Sequence, residues 1–312
     1  MTKKIIISLT IILLLVFLPS ACSTNQTSQS QSIKEVLSKD KVALVYPKNA
    51  KDYFDSLAEM LKNKDFSVTT WTIDEFNSIK QDNIVKTLKD QNYRFLIIDV
   101  INRSQLNTSL DNLRGQGTNI IGYDNIVYNI GAPDANVTFD YVGYGMKAAE
   151  QFVKDNKINT LKAKNYKTVE FLAGNALLQS NYDYFKGVMK VLQPFIDNGE
   201  IKVLSKNMPT EDGNNISQIA TINNNDYKLN KQLNDIESKN YKDKQLNGLI
   251  LGPNISLSTK IKVYNTNRDK NKYLKINEYV ISLVLALKNH ANIDEIQKVS
   301  NNKRMIPTVY VY

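Results

Sequence analysis

The chain has 312 residues, a formal net charge of +9, 42% hydrophobic residues and 23% charged residues. This composition excludes the disordered and fibrous classes, and the length predicts two domains. A single cysteine and a single histidine exclude an intrachain disulfide, a cysteine-based metal site and a histidine cluster for zinc. The lysines are interleaved with acidic and amide residues, which favours a solvated surface next to anionic lipid over a nucleic-acid interface.

The N-terminal segment has the layout of an export signal. Lys3 and Lys4 precede the apolar run Ile5–Leu18, and the small residues Ser20 and Ala21 follow it. The apolar run is shorter than the ~20 residues that a membrane-spanning helix needs, so a permanent transmembrane helix is the weaker alternative. We therefore expect this segment to direct export.

The residues around Cys22 resemble the lipobox of bacterial lipoproteins, in which the cysteine thiol is acylated. The resemblance implies a signal peptide at 1–21, lipidation of Cys22 and a location on the extracytoplasmic face of the cell membrane. The alternative is a leftover thiol after an ordinary signal. Residues 22–38 are predicted to form a flexible tether, because Ser23–Ser32 is rich in Ser, Thr, Gln and Asn and has no apolar periodicity.

Apolar β-branched runs then alternate with amphipathic segments. The predicted strands are Val42–Tyr46, Ser67–Ile73, Phe95–Val100, Asn119–Tyr123, Thr168–Ala173, Ile201–Leu204 and Leu246–Leu251. The predicted helices are Ala50–Lys64, Glu75–Gln91, Gln105–Arg114, Asp140–Asp155, Asn181–Ile196 and the polar region Ile216–Ser238. Apolar strands that alternate with helices predict an α/β fold with parallel sheets covered on both faces. We expect two Rossmann-like lobes, an N-terminal lobe at 39–126 with 286–312 and a C-terminal lobe at 127–285, joined by a hinge near 125–139.

The sequence offers no chemistry for an enzyme. Gly143-x-Gly145-x-x-Ala148 matches a dinucleotide fingerprint by letters, but the preceding apolar run is too short for the strand that the fingerprint requires. Small residues that pack a helix against a sheet are the favoured interpretation. No phosphate-binding loop, nucleophile elbow or zinc-protease motif occurs in the sequence. We predict a protein that is not an enzyme and uses no metal or cofactor.

Polar and aromatic residues follow several predicted strands at their carboxyl ends, where ligands bind in open α/β sheets. The candidate ligand-binding residues are Lys48, Asn49, Tyr53, Phe54, Asn102, Asp124, Asp140, Asn181 and Asn254, and Asp99 and Asn125 lie beside them. Carboxylates and amides suit the hydroxyl groups of a sugar, and aromatic rings suit the apolar faces of a pyranose. The alternative is that these Asn and Asp residues only form turns and helix N-caps.

Three segments carry a family resemblance, namely Asn119–Asp124, Thr138–Gly143 and Phe171–Asn181. They are similar to the type I periplasmic sugar-binding proteins, in particular the branch that binds xylose and several other monosaccharides. The resemblance implies two lobes around a cleft that clamps a pentose or hexose, and delivery of the sugar to ABC-type permease subunits. We expect polar contacts from Asp124, Asp140, Asn181 and Asn254, with Tyr53 or Phe54 as a stacking ring.

The chain also departs from the family pattern. The family's Tyr-Asp-Arg is Tyr123-Asp124-Asn125 here, and Tyr141 stands where an Asn is usual. Pro307–Tyr312 resembles a late core strand after which the family has a further helix, so the fold is expected to lack that C-terminal helix. These departures motivate an alternative function, a degenerate or truncated paralogue that acts as a surface sensor or interaction lipoprotein without sugar transport.

Overall fold

The structure, a computed structural model, describes residues 40–74, 77–102, 104–125, 134–158, 165–212, 214–220, 226–253, 255, 257–265, 270–289 and 308–311. In these ranges the strands are β1 (Lys41–Pro47), β2 (Ser67–Ile73), β3 (Phe95–Ile98), β4 (Asn119–Tyr123), β5 (Ala135–Phe139), β6 (Lys167–Leu172), β7 (Ile201–Lys202), β8 (Gly248–Leu251), β9 (Val263–Tyr264) and β10 (Thr308–Val311). The α-helices are α1 (Lys51–Lys62), α2 (Ser78–Thr87), α3 (Asn107–Gly115), α4 (Tyr141–Asp155), α5 (Gln179–Asp197), α6 (Asp226–Asn240) and α7 (Lys270–Lys288).

A six-stranded parallel sheet in the order β10-β5-β4-β3-β1-β2 forms the first lobe. Its central strands are apolar and buried on both faces, as in Phe95–Ile98, where all four residues are buried. One face packs against α1 and α7 through residues such as Leu57 and Ile276. The other face packs against α2 and α3 through residues such as Val85 and Leu110.

A smaller parallel sheet in the order β7-β6-β8-β9 forms the second lobe. Helix α6 covers one face of this sheet with Leu229, Leu233 and Ile236, which cluster with strand residues of β6 and β8. Helices α4 and α5 contribute Phe152 and Phe185 to the main core together with Phe171 of β6. The predicted α/β class with two parallel-sheet lobes is confirmed.

The division between the lobes differs from the expected one, which placed 127–285 in the C-terminal lobe. Strand β5 pairs with β4 in the first sheet, with Ile121 opposite Ala135. Helix α7 also packs on the first lobe, because its apolar residues Tyr273 and Val280 join that core. Within the described ranges, the second lobe therefore begins at α4 and β9 is its last strand. Of the expected hinge, 126–133 lies outside the described residues and 135–139 is a strand.

Both glycines of the fingerprint-like motif lie in α4, and Gly145 brings this helix into backbone contact with α5. A Cβ atom added at Gly145 would lie 1.9 Å from the carbonyl oxygen of Tyr184. A Cβ atom added at Gly187 of α5 would lie 2.0 Å from the carbonyl oxygen of Val142. The expectation of small residues at a packing contact is correct, but Gly145 faces a helix and not a sheet.

The second lobe contains a buried carboxyl group on β6. Glu170 of β6 is 0% exposed. Its Oε1 atom accepts hydrogen bonds from Ser205 N at 3.0 Å and from Tyr241 OH at 2.6 Å. Burial raises the pKa of Glu170 above its ordinary value, because desolvation disfavours the charged form. Burial and the neighbouring Glu170 also raise the pKa of the Tyr241 phenol.

Glu170→Gln is expected to make the unfolding free energy of the protein less sensitive to rising pH. The folded state binds the Glu170 proton more tightly than the unfolded chain does. The stability from this group is therefore complete below its unfolded pKa of about 4.3 and is lost as pH rises through the folded pKa. Urea unfolding at several pH values between about 4 and 8 should show wild type losing unfolding free energy relative to the Gln variant. A constant difference between the two proteins would contradict this assignment.

Candidate functional site

Asp124 lies at the carboxyl end of β4 in a conformation that the neighbouring strand fixes. Its φ is +62°, in the left-handed region that non-glycine residues seldom adopt. Its backbone N–H donates to the carbonyl oxygen of Val137 at 2.8 Å. Its own carbonyl oxygen accepts from the Thr138 hydroxyl at 2.6 Å. Strand β5 therefore holds Asp124 at the edge where ligands bind in such sheets.

Two tyrosine hydroxyls donate to the Asp124 carboxylate, which is buried with its residue at 1% exposure. Tyr141 OH donates to Oδ1, and Tyr273 OH donates to Oδ2 at 3.2 Å. The Tyr273 ring stacks on Tyr53 with 3.6 Å between the ring centroids and 12° between the planes. Each carboxylate oxygen thus accepts a hydrogen bond from a tyrosine of another element.

Asn277, one turn after Tyr273 on α7, binds the same region of the first lobe. Its Oδ1 accepts from Tyr123 OH at 2.9 Å, and its Nδ2 donates to the carbonyl oxygen of Tyr53 at 3.0 Å. Asn277 is 0% exposed, and both ends of its amide are satisfied by these bonds. We call Tyr53, Tyr123, Asp124, Tyr141, Tyr273 and Asn277 the Asp124 cluster.

The first turn of α7 also contacts α4. Lys272 Nζ donates to Tyr144 OH at 2.7 Å and lies 4.2 Å from the centroid of the Tyr144 ring. This geometry combines a hydrogen bond with a cation–π contact. One segment of α7 therefore contacts both the end of β4 and the first turns of α4.

Asn125 is bonded to the neighbouring strand end. Its Nδ2 donates to Asp99 Oδ1 at 2.8 Å, and the residue is 4% exposed. Its Oδ1 has no hydrogen-bond partner among the described residues. Asp99 is itself held by Gln81, whose Nε2 donates to the Asp99 carbonyl oxygen at 2.7 Å. These bonds tie the ends of β3 and β4 to α2.

The predicted residues of the second lobe lie at the starts of two helices. Asp140 is the N-cap of α4, and its Oδ1 accepts from Gly143 N at 2.9 Å. Asn181 lies in the first turn of α5 at 2% exposure, and its Nδ2 donates to the carbonyl oxygen of Asn175 at 2.7 Å. The Asn181 Oδ1 atom has no partner among the described residues. The capping alternative thus describes Asp140 well, whereas Asn181 keeps an unused acceptor.

The other predicted residues that the structure describes are exposed, bond to residues outside the Asp124 cluster, or lie in the core. Lys48 is exposed and forms an ion pair with Asp74 at 2.6 Å, and Asn49 beside it is exposed. Asn102 is half-buried, and its side chain bonds to Gln105 and to Ser104 N. Phe54 is 0% exposed and stacks on Tyr46 at 4.2 Å, so it is a core residue and not an open stacking ring. Asn254 and Cys22 lie outside the described residues.

Tyr53 is the aromatic candidate that the structure places in the cluster, and it is half-buried. Sequence reasoning singled out Tyr141 only as a departure from the family pattern, and it missed Tyr273 and Asn277. Their spacing of four residues puts them on one face of a helix, where they look like ordinary inward-facing residues.

Among the described helices, none combines the length and apolar character that crossing a bilayer would require.

Two parallel-sheet lobes with polar groups at the carboxyl ends of the strands define an α/β binding protein. Residues 42–256 match the family model described as the periplasmic binding protein domain. Because this match covers more than half of the chain, the protein belongs to that family.

Two curated relatives have names that refer to sugar binding. The D-xylose-binding periplasmic protein of Escherichia coli (strain K12) is 24% identical over 193 residues, which cover 62% of this chain and 54% of that protein. The multiple sugar-binding periplasmic protein SbpA of Azospirillum brasilense is 26% identical over 119 residues, which cover 38% of this chain and 33% of that protein. The chain therefore spans only about a third to a half of the length of these relatives.

A solved structure shows the same fold over most of the chain. An ABC transporter solute-binding protein from Clostridium phytofermentans, crystallised with bound β-D-glucose, matches with a TM-score of 0.73. The match covers 87% of this chain and 92% of that chain at 16% sequence identity. At that identity the likeness shows the fold alone, and the fold agrees with the type I resemblance of the sequence.

Proposed function

We propose that this protein captures a monosaccharide, a pentose or a hexose, outside the cell membrane for an ABC-type permease. The observation that supports the proposal best is the Asp124 carboxylate at the carboxyl end of β4, with the Tyr53 and Tyr273 rings beside it. A carboxylate accepts from sugar hydroxyls, and aromatic rings cover the apolar face of the sugar ring. The names of the relatives and the glucose in the matching structure point to the same ligand class.

The ligand contacts in this proposal come from both lobes. Asp124 and Asn102 would contribute from the first lobe, with Tyr53 as the stacking ring. Asp140, Asn181 and Asn254 would contribute from the second lobe. The unused Oδ1 acceptor of Asn181 supports its role, because a buried polar atom without a partner is unfavourable until a donor reaches it. Binding of this kind involves no covalent chemistry.

The location is part of the same proposal. The lipobox-like residues before Cys22 support acylation of its thiol, which would hold the protein on the extracytoplasmic face of the membrane. Residues 22–38 would then act as a tether, since a Ser- and Gln-rich segment behaves as a flexible chain. A binding protein held in this way would release its sugar close to a permease in the same membrane.

Sugar binding is expected to raise the melting temperature of the purified chain. A ligand at 100 times its Kd stabilises the folded state by about 2.7 kcal/mol if it does not bind the unfolded chain. Thermal unfolding should be measured with D-xylose, D-glucose and other pentoses and hexoses, followed by calorimetric titration of any that shift the transition. A polyol without a ring, such as glycerol, is the control. A folded protein that no sugar stabilises would contradict the proposal.

A further inference from the structure

The Asp124 carboxylate already has the kind of bonds that a sugar would make with it. Each of its two oxygens accepts a hydrogen bond from one tyrosine hydroxyl, Tyr141 on Oδ1 and Tyr273 on Oδ2. Two neighbouring hydroxyls of a sugar would use the same two acceptors. The residue is only 1% exposed, so the carboxylate is covered while both of its oxygens are bonded to the tyrosines.

The two tyrosines lie on helices of different lobes. Tyr273 is fixed on α7 by its stack on Tyr53 and by an edge-to-face contact with Phe139 at 5.0 Å. Tyr141 is the first residue of α4, in the second lobe, and its ring makes edge contacts with Phe139 at 5.9 Å and Tyr144 at 6.2 Å. The bond from Tyr141 to Asp124 therefore joins the second lobe to the end of β4.

We propose that Tyr141 and Tyr273 are internal competitors of the sugar for Asp124, and that they set the affinity and the selectivity of the site. The inference rests on the proposed function. A sugar gains from Asp124 only the difference between its own hydrogen bonds and those of the tyrosines. Its apparent affinity equals its intrinsic affinity multiplied by the fraction of molecules in which the tyrosines have released Asp124. Sugars whose hydroxyls replace both tyrosine hydroxyls are favoured over sugars that replace one.

The test compares Tyr141→Phe and Tyr273→Phe with wild type. Phenylalanine keeps the ring but removes the hydrogen bond that anchors it, so each variant is expected to bind D-xylose or D-glucose about tenfold more tightly, which corresponds to about 1.4 kcal/mol. Tyr93→Phe is the matched control, because Tyr93 is also a buried tyrosine with one hydroxyl bond, to Thr69 at 3.1 Å, in the cluster on the opposite face of the sheet. Its affinity should equal that of wild type in calorimetric titrations.

The outcomes separate this inference from the proposed function. If wild type binds a sugar and both phenylalanine variants bind it equally well or more weakly, the inference is overturned. The proposed function then still stands. Binding by the variants alone supports the inference in its strongest form. If none of the proteins binds a sugar, both proposals fail.

A measurement without sugar tests whether the Tyr141 hydroxyl bonds to the Asp124 carboxylate. It also identifies any variant that does not fold. Asp124→Asn, Tyr141→Phe and the double variant form a cycle in urea unfolding. If the hydroxyl bonds the carboxylate, the double variant is destabilised by less than the sum of the two single variants. Additive losses would overturn the inference. The cycle requires only that each variant unfolds cooperatively, which the same curves show.

Discussion

Gly145→Ala is expected to lower the unfolding free energy by at least about 3 kcal/mol, at the upper end of what overpacking costs. The added Cβ atom would lie 1.9 Å from the carbonyl oxygen of Tyr184 and 2.9 Å from its carbonyl carbon. A backbone carbonyl cannot rotate away as a side chain can, so α4 and α5 must separate. Separation would open the core that holds Phe152 and Phe185 between these helices and the second sheet.

Gly187→Ala should have a similar effect, because the contact is reciprocal and its Cβ atom would lie 2.0 Å from the carbonyl oxygen of Val142. Urea unfolding measures both losses. Gly115→Ala is the control, since Gly115 is the last residue of α3 and nothing lies within 4 Å of an added Cβ atom. There alanine should be neutral or slightly stabilising, because it is the better helix former by up to ~1 kcal/mol. Equal effects at Gly115 and Gly145 would show that the close helix contact is not present.

The regular parts of the fold were predictable because burial on both faces leaves a clear pattern. The apolar strands Val42–Tyr46 and Phe95–Ile98 and the helix that carries Leu57 and Leu61 lie where their periodicity indicates, with differences of a few residues at their ends. Strand β5 was missed because it includes Asn136 and Thr138, which are buried despite being polar. Its place in the first sheet depends on pairing with β4 and β10, which no local pattern contains.

The sequence predicts the position of Asp124 in the candidate site, but it does not predict the contacts that α7 makes there. Asp124 follows a predicted strand, so its place at the sheet edge follows from the α/β rule. Tyr273, which bonds to it, is 149 positions further along the chain. Helix α7 also exposes apolar residues, with Leu274 at 40% and Tyr279 at 47% exposure, so its buried face is not obvious from the sequence. The contacts of Tyr273 and Asn277 arise only when α7 packs on the first lobe.

Tyr53 and Phe54 are adjacent on α1, but Tyr53 belongs to the Asp124 cluster and Phe54 to the core. Phe54→Ala should cost about 3–5 kcal/mol of unfolding free energy, the range for removing a buried phenylalanine. The Phe54 ring is 0% exposed and lies between Tyr46 at 4.2 Å and Tyr123 at 4.4 Å. Its loss would leave a cavity directly beneath the Asp124 cluster, which includes Tyr123.

Phe54→Leu separates a core role from a role in stacking on a sugar. Leucine fills much of the volume, so this variant should remain folded and should bind a sugar within about twofold of wild type, because residues in the core act on ligands only through packing. Tyr279→Ala on the exposed side of α7 is the control for stability, with an expected change within about 0.5 kcal/mol. A tenfold loss of sugar affinity in a fully folded Phe54→Leu protein would place the ring against the ligand and contradict its assignment to the core. Retained affinity would leave Tyr53, stacked on Tyr273, as the aromatic surface of this lobe that faces the sugar.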